Sequence, residues 1–594
     1  MVREKLATHS RAHRKACQAW STYLANFLMS STEELGGSAE QVYPHLTSRQ
    51  VNRTLLRDPE TFAACTIFAS QVFAKLFGDD EFVRTVGGTG DEHAVAVNTK
   101  AIRAQFRAPG NVHTMWKAVL DSVIYGVGWV ENPVETVNRM SLGALTKPTG
   151  GGPITDFGPK MTKYVNPVWR NLDIFSFVPD WSSNFNAEMA YGIKCGNLTA
   201  SHFRAFVGAL GEKADKSALE RALKNNCKEW SEGVDGKTWR DAAISPYRTS
   251  DFEKPAHSRP IQFYEFRGED DRQPIDSIER YRCIIVANNE VVFDAPHPYY
   301  KHPYRSINVG VFNGRPYGIS PAEVGRYEQD ALDTIRILEM EAAVDTVRTP
   351  KFANRSVIDD MSLLQGAPSG AWVPVDGNPA VAAAVFPNNT AVNIVALQNI
   401  SAKKQFYRQG VGVPDVMQGI AAGSRTTARE IAEISQSANV PLDVKVDLIE
   451  NEDLPALARD VGQRLILALR DEDDPDAALT ARLGMPCKLS DLLNDLSIEF
   501  IGSARYAAKM GQGAAIERAA NLAIAMGPAA QNLVNLPRLL VKLFQAGDPV
   551  LAEEILNDPM QAIGQGMFAQ AMAGGAPQKG APSPPRAQPP MIGG

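Results

Sequence analysis

Up to about residue 126 the apolar side chains recur every three or four positions, which predicts helices. The greasiest stretch is "TFAACTIFASQVFAKLF" (61 to 77). It follows Asp58-Pro59-Glu60, where Asp can cap, Pro suits the first turn and Glu complements the dipole. With one Lys and fewer than the roughly 20 residues needed to span a bilayer, it reads as a buried core helix. In "NVHTMWKAVLDSVIYG" the apolar Met115, Val119, Val123 and Ile124 share a face, and Gly126 is placed to end the helix. "GWVENPVETV" then reads as a strand, and residues 147 to 153 as a loop. The N-terminal "MVREKLATHSRAHRKACQAW" is basic without an apolar core after it, and is expected to be an exposed amphipathic helix.

From about 164 to 315 the apolar residues alternate or run together instead. "IQFYEFRG" (261 to 268) and "RYRCIIVANNEVVFDAP" (280 to 296) predict antiparallel strands, the second split by an Asn288-Asn289 hairpin turn. Residues 199 to 226 read as a helical insertion in this small sheet. The fold class is therefore α+β, mainly helical.

After residue 316 the helical period returns over greater lengths. Ser320, Pro321 and Glu323 open a helix as N-cap, first residue and capping-box acid. Val324, Tyr327, Ala331, Ile335, Leu338 and Ala342 mark its apolar stripe. Residues 349 to 390 are Pro- and Gly-rich with short apolar pieces, a strand-and-turn insertion before a second helix over 391 to 410. A Gly- and Pro-punctuated loop follows, and the capping box Thr427 to Glu430 starts a helix whose period runs to about 470. Pro441 and Pro455 should each bend it. At 1.5 Å per residue it would reach some 60 Å. A helix of that length needs neighbours that one chain barely supplies. "DEDDPDAAL" (471 to 479) is an acidic break, helices follow to about 558, and the Gly/Pro/Ala/Gln-rich end predicts disorder.

Composition adds exclusions. The net charge is −6, so the whole chain is not an electrostatic nucleic-acid binder. The six cysteines are scattered with no CxxC pair, which indicates neither a zinc site nor a disulfide framework and fits a reducing compartment. Cys65 and Cys195 read as small buried hydrophobes. No phosphate-binding P-loop, HExxH or GxSxG occurs. Gly126-Val127-Gly128 and Gly410-Val411-Gly412 read as turns and caps. His9 and His13 stand four apart, but Arg11, Arg14 and Lys15 around them favour a solvated basic face over a metal clamp. Ser401 to Lys404 matches SxxK without the partner motifs of a penicillin-binding site. No cofactor, metal or enzymatic activity is expected. The most unusual charges are on the helix at 321 to 348, with seven acids against three bases. They form either an ordinary solvated face or a surface lining something negative that must not stick.

In order and kind these parts resemble the portal, or head-to-tail connector, protein of tailed bacteriophages, most closely the short-tailed kind. The stretches that carry the resemblance are "AVLDSVIYGVGWVENP", "PYGISPAEVGRYEQDALDTIRILEMEAAV", "GVPDVMQGIAAGSRTTAREIAEISQSA" and "LSIEFIGSARYAAKMGQGAAIERAANLAIAMGP". Together they span about 115 to 530. The resemblance implies a wing or body over 1–319, a stem helix over 320–348 and a clip over 349–390. It also implies a second stem helix over 391–411, a tunnel loop over 412–426, and a kinked wing-to-crown helix over 427–470. A crown over 471–560 and a disordered tail over 561–594 complete the portal-type fold. The implied assembly is a ring of twelve in the virion, at the portal vertex of the capsid, made in the host cytoplasm.

Double-stranded DNA would pass through the ring during genome packaging and ejection. Terminase, major capsid and scaffolding proteins and a tail adaptor would be the partners, with no membrane. Gly412, Val413, Asp415, Met417, Gln418 and Arg425 are the implied channel-lining loop. Lys403, Lys404, Arg408 and Arg425 are sparse cations near the loop that could grip DNA weakly or form salt bridges between subunits to the acidic helices. Another virion structural protein, a minor capsid protein or tail adaptor, is the alternative. An SxxK hydrolase acting through Ser401 is a third reading.

Overall fold

The computed structural model describes residues 2–29, 58–87, 92–132, 134–144, 157–183, 189–209, 214–224, 260–274, 277–296, 302–312, 315–347, 351–354, 372–375, 390–413, 440–470, 472, 474–493 and 496–507. It is α+β. Residues up to Ser503 form one compact unit, and the chain from Ala504 onwards belongs to a second.

Four helices open the chain: α1 (Val2–Leu28), α2 (Glu60–Phe77), α3 (Glu92–Arg107) and α4 (Pro109–Tyr125). Alpha1 is not the exposed helix its charge suggests. Cys17, Trp20, Tyr23, Leu24 and Phe27 enter the main core, while Val2 and Leu6 cover one face of a sheet. His13 is buried too, its Nε2–H donating to Phe175 O at 3.2 Å with Cys17 Sγ 3.3 Å from the same nitrogen, and burial lowers its pKa to about 4. Only one side, with Arg11, Arg14 and Lys15, remains the basic exposed face. Cys65 and Cys195 are core residues, and burial pushes the Cys65 thiol up to about 12.

Alpha4 ends at Gly126 with φ +91, and its N–H bonds Ser122 O. A Cβ at Gly126 would stand 2.2 Å from Gly318 O, so the left-handed turn and the close chain crossing both require glycine. That crossing ties the chain leading into the later helices to the end of α4, through Gly318 N–H to Gly126 O. The expected strand after Gly126 is two strands, the first ending at Glu131 and the second starting at Val134. Beta2 (Gly128–Glu131) lies between β5 (Arg170–Leu172) and β11 (Tyr304–Ile307), whereas β3 (Val134–Ala144) pairs with β4 (Phe157–Pro167) as a long hairpin.

The antiparallel sheet has the order β10-β9-β8-β7-β6, from β6 (Phe177–Pro179), β7 (Tyr191–Thr199), β8 (Pro260–Glu269), β9 (Tyr281–Ala287) and β10 (Glu290–Pro296). Asn288 and Asn289 both have positive φ, 45° and 71°, as the tight hairpin between β9 and β10 demands. The helical insertion, α5 (Ala200–Ala209) and α6 (Lys216–Lys224), packs Phe203, Val207 and Leu219 on one face of the sheet, opposite Val2 and Leu6.

The later helices are α7 (Pro321–Val347) and α8 (Thr390–Val411), packed against each other. Of the insertion between them, β12 (Lys351–Asn354) and β13 (Trp372–Val375) are described and pair in parallel. The helix expected over 427–470 is described from residue 440, and its start lies outside the described residues. It is helical over 440–448, takes a π turn at Ile449–Asp453 and continues as α9 (Leu454–Leu469). The Leu454 N–H reaches back five residues to Ile449 O. Pro455 has no N–H, and in an ordinary α-helix its ring would press on the carbonyl of Asn451. The wider π turn sits where that conflict would fall.

After the acidic break, Asp474 accepts from Ala477 N and caps α10 (Pro475–Leu483). Beta14 (Ser497–Phe500) then pairs with β1 (Val83–Val86), and Leu479, Leu483, Leu492 and Phe500 join the main core. Residues 475–500 are therefore part of the body. The tail from 508 lies outside the described residues.

Candidate functional site

The N-terminus of α2 exposes backbone N–H groups that its own helix cannot satisfy. Asp58 does not cap them with its side chain. Alpha7 supplies acceptors instead. Asp333 Oδ1 accepts from Asp58 N at 2.9 Å, and Gln329 Oε1 accepts from Thr61 N at 3.2 Å and from Thr61 Oγ1 at 2.8 Å. Gln329 Nε2 closes the set by donating to Asp58 O and Asp333 Oδ1, both at 2.8 Å. Asp58, Gln329 and Asp333 are all buried.

The freed Asp58 carboxylate faces α8. Lys404 Nζ lies 2.9 Å from it and 3.1 Å from Glu60 Oε1. Arg408 completes a two-pronged contact with Glu60, Nε at 3.0 Å and a terminal nitrogen at 2.9 Å. The acids sit at the positive end of α2 and the cations near the negative end of α8, so both helix dipoles reinforce the pairing. Tyr407 donates to Thr61 Oγ1 at 3.0 Å, and its buried phenol is shifted well upward by desolvation. Its ring fits because position 325 is glycine; a Cβ there would stand 2.4 Å from it. Lys403 reaches Glu328 of α7 at 2.8 Å.

Of the expected channel residues, Lys403, Lys404 and Arg408 are thus each paired with carboxylates of their own chain. The bridges expected between subunits are, for these three, bridges within one. Alpha8 ends in a turn where Gly412 has φ +83 and Gly412 N and Val413 N both bond Arg408 O. Val413 is fully buried in the main core, so the following segment leaves from a fixed point. Asp415, Met417, Gln418 and Arg425 lie outside the described residues. The Lys of the SxxK stretch, Lys404, is the one held by Asp58 and Glu60.

The helix opening follows expectation in one respect: Ser320 Oγ accepts from Glu323 N at 2.9 Å. Glu323, however, turns to Arg315, whose guanidinium holds both its oxygens and stacks on Tyr317. Of the apolar stripe of α7, Val324, Tyr327 and Leu338 face solvent, while Ile335 is half-buried against the main core. The buried side of α7 carries Ala322, Gly325, Gln329, Leu332, Asp333 and Ile337, and the helix packs against α8, α1, α4 and α2. Tyr327 is 76% exposed, and Val324 and Leu338 are exposed on the same side. On α8, Phe406 is 61% exposed.

The polar base was not anticipated. The signal existed as i, i+4 polar pairs, Gln329 with Asp333 and Lys404 with Arg408, but their partners Asp58 and Glu60 are some 270 to 350 residues away in sequence. Among the described residues no helix is long and apolar enough to cross a membrane. No protein-family model matches the chain, and no characterised protein shows significant similarity to it.

Proposed function

We propose that the chain is the subunit of a ring-shaped portal, a non-enzymatic conduit through which double-stranded DNA enters and leaves a phage capsid. The observation that supports it best is the exposure of Val324, Tyr327 and Leu338 on one side of α7. A helix that buries Gln329 and Asp333 against its own chain and leaves Val324, Tyr327 and Leu338 in water is built for a partner on that side. Copies of the same chain, arranged around an axis, would provide one along its length.

In this reading α7 and α8 are the two stem helices and the segment between them is the clip, which meets the tail adaptor. The loop after Val413 projects into the channel from its buried anchor. The charges suit a passage. Lys and Arg contacts to DNA phosphates bind by counterion release, and a conduit should have few of them. Lys404 and Arg408 are neutralised in place, and α7 carries a net acidic charge. Terminase, capsid and scaffolding proteins would engage the ring from outside.

Negative-stain images of the purified protein test this reading. Top views should show rings with a central hole. Removing residues 415–424 should leave the rings intact and impair packaging or retention of DNA. Uniform single particles without a hole, at every concentration, would overturn the proposal.

A further inference from the structure

The π turn at Ile449–Asp453 holds two chain segments that are far from it in sequence. Glu450 is buried. Its Oε1 accepts from Ser503 N at 2.7 Å, its Oε2 accepts from Ser503 Oγ, and the Gly502 N–H adds a third donor. Residues 502–507 are helical, so Glu450 supplies acceptors for N–H groups that this helix start cannot satisfy itself. Ser503 is the last residue of the first compact unit. Just before it, Ile501 N bonds Phe82 O, and a Cβ at Gly502 would stand 2.2 Å from Leu76 O. The chain is therefore pressed against the end of α2 where Glu450 takes hold. Three residues on, Asp453 accepts from Asn308 N at 2.7 Å. Asn308 follows β11, and the next residues run through the Gly310 and Gly318 crossings to the start of α7. One turn of one helix thus grips the chain at two exits from the body, and both β11 and β14 pack against it.

Neither carboxyl has a cation for a partner among the described residues. The cations of neighbouring elements are engaged elsewhere: Lys75 of α2 with Asp443, Arg84 of β1 with Glu499 of β14, and Arg305 of β11 with Asp460 of α9. Lys445 lies over the Phe68 ring. Arg459 and Arg464 stand further along α9, about 9 Å or more beyond Asp453 at 1.5 Å per residue. The near charges on the helix itself are acids, Asp447 for Glu450 and Glu452 for Asp453. Taking a carboxylate out of water without a counter-ion favours its protonated form. Burial accordingly raises Glu450 above its ordinary value, against the hydrogen bonds from Ser503 and Gly502 and with Asp447 adding to the rise. A protonated carboxyl still accepts through its carbonyl oxygen, and its hydroxyl can donate to Ser503 Oγ. The gripped state therefore takes up protons that the released state, with its carboxyls in water, gives up.

We propose that the π turn is a proton-operated clamp: Glu450 locks the chain where it leaves for the second unit, Asp453 locks it where it leaves for α7, and each lets go as it ionises. The clamp lies within one chain and does not depend on the ring.

Hydrogen–deuterium exchange of the full chain tests it, read as protection relative to the unstructured rate at the same pH, so that base catalysis cancels. Between about pH 5 and about pH 8.5, protection over 502–507 should fall severalfold and that of Asn308 more than about tenfold. Residues 261–268 of β8, a core strand, should keep theirs. Glu450→Gln keeps an acceptor and a donor without titrating. It should abolish the fall over 502–507 and leave the fall at Asn308, and Asp453→Asn should do the reverse. Wild-type protection that holds at either site as pH rises, a fall that β8 shares, or a fall that survives in the matching amide variant would overturn the clamp. The wild-type series alone decides the claim if an amide variant does not fold.

Discussion

Asp453 shows how a single half-buried group sets a pH dependence. It closes the π turn, accepts from Asn308 N at 2.7 Å, and is pushed up to about 8, chiefly by burial, against that hydrogen bond and with Glu452 adding to the rise. The folded chain therefore keeps a proton there that the unfolded chain releases near its ordinary value. Stability from this group is full below about pH 4 and is lost as pH rises towards 8. Asp453→Asn removes the titration. Relative to wild type, the variant should gain on the order of 2–4 kcal/mol between about pH 5 and pH 8. Urea unfolding at the two pH values measures this; an unchanged difference would mean that the carboxyl is ionised in the fold. His13 works in the opposite direction. Held neutral to about pH 4, it favours unfolding as pH falls below its ordinary value near 6.5. Gly126 is a second single-residue dependence. Gly126→Ala places a methyl against Gly318 O in a left-handed turn and should cost about 2 kcal/mol or more, read as a lowered melting temperature.

Between helices, the polar base decides how α7 and α8 stand on the body. Arg408→Ala removes the two-pronged partner of Glu60, which is buried and keeps only Lys404. The expected loss is about 2–4 kcal/mol in denaturant unfolding, with Arg408→Lys falling between the variant and wild type. A loss no larger than for an exposed ion pair would mean that the base does not hold the helices.

These elements also show what sequence could and could not reveal. The extents of α2, α4, α7 and α8 and the Asn288-Asn289 hairpin followed from periodicity, with Gly126 and Ser320 ending and opening their helices as expected, whereas Asp58 was expected to cap α2 and turns to Lys404 instead. The direction of the α7 stripe did not follow, because a helical period says that a face is apolar and not what covers it. Alpha1 misled because its charges lie on one side only, while Trp20, Cys17 and His13 enter the core on the other. Glu323 was expected to reach back to its own helix start and found Arg315 instead, a partner from the preceding loop. Pro455 was expected to kink the helix, and a π turn takes up the conflict.

For the assembly as a whole, one chain leaves Tyr327, Phe406, Val324 and Leu338 in water, and the cost of that exposure falls away if copies cover one another. The central claim is closure into a ring, so mass tests it most directly. Native mass spectrometry of the full chain should give a dominant species near twelve times 64.6 kDa, about 775 kDa, stable on dilution because every interface in a closed ring is satisfied. A species that stays at the 64.6 kDa of one chain, or stops at a twofold dimer at all concentrations, would contradict the account.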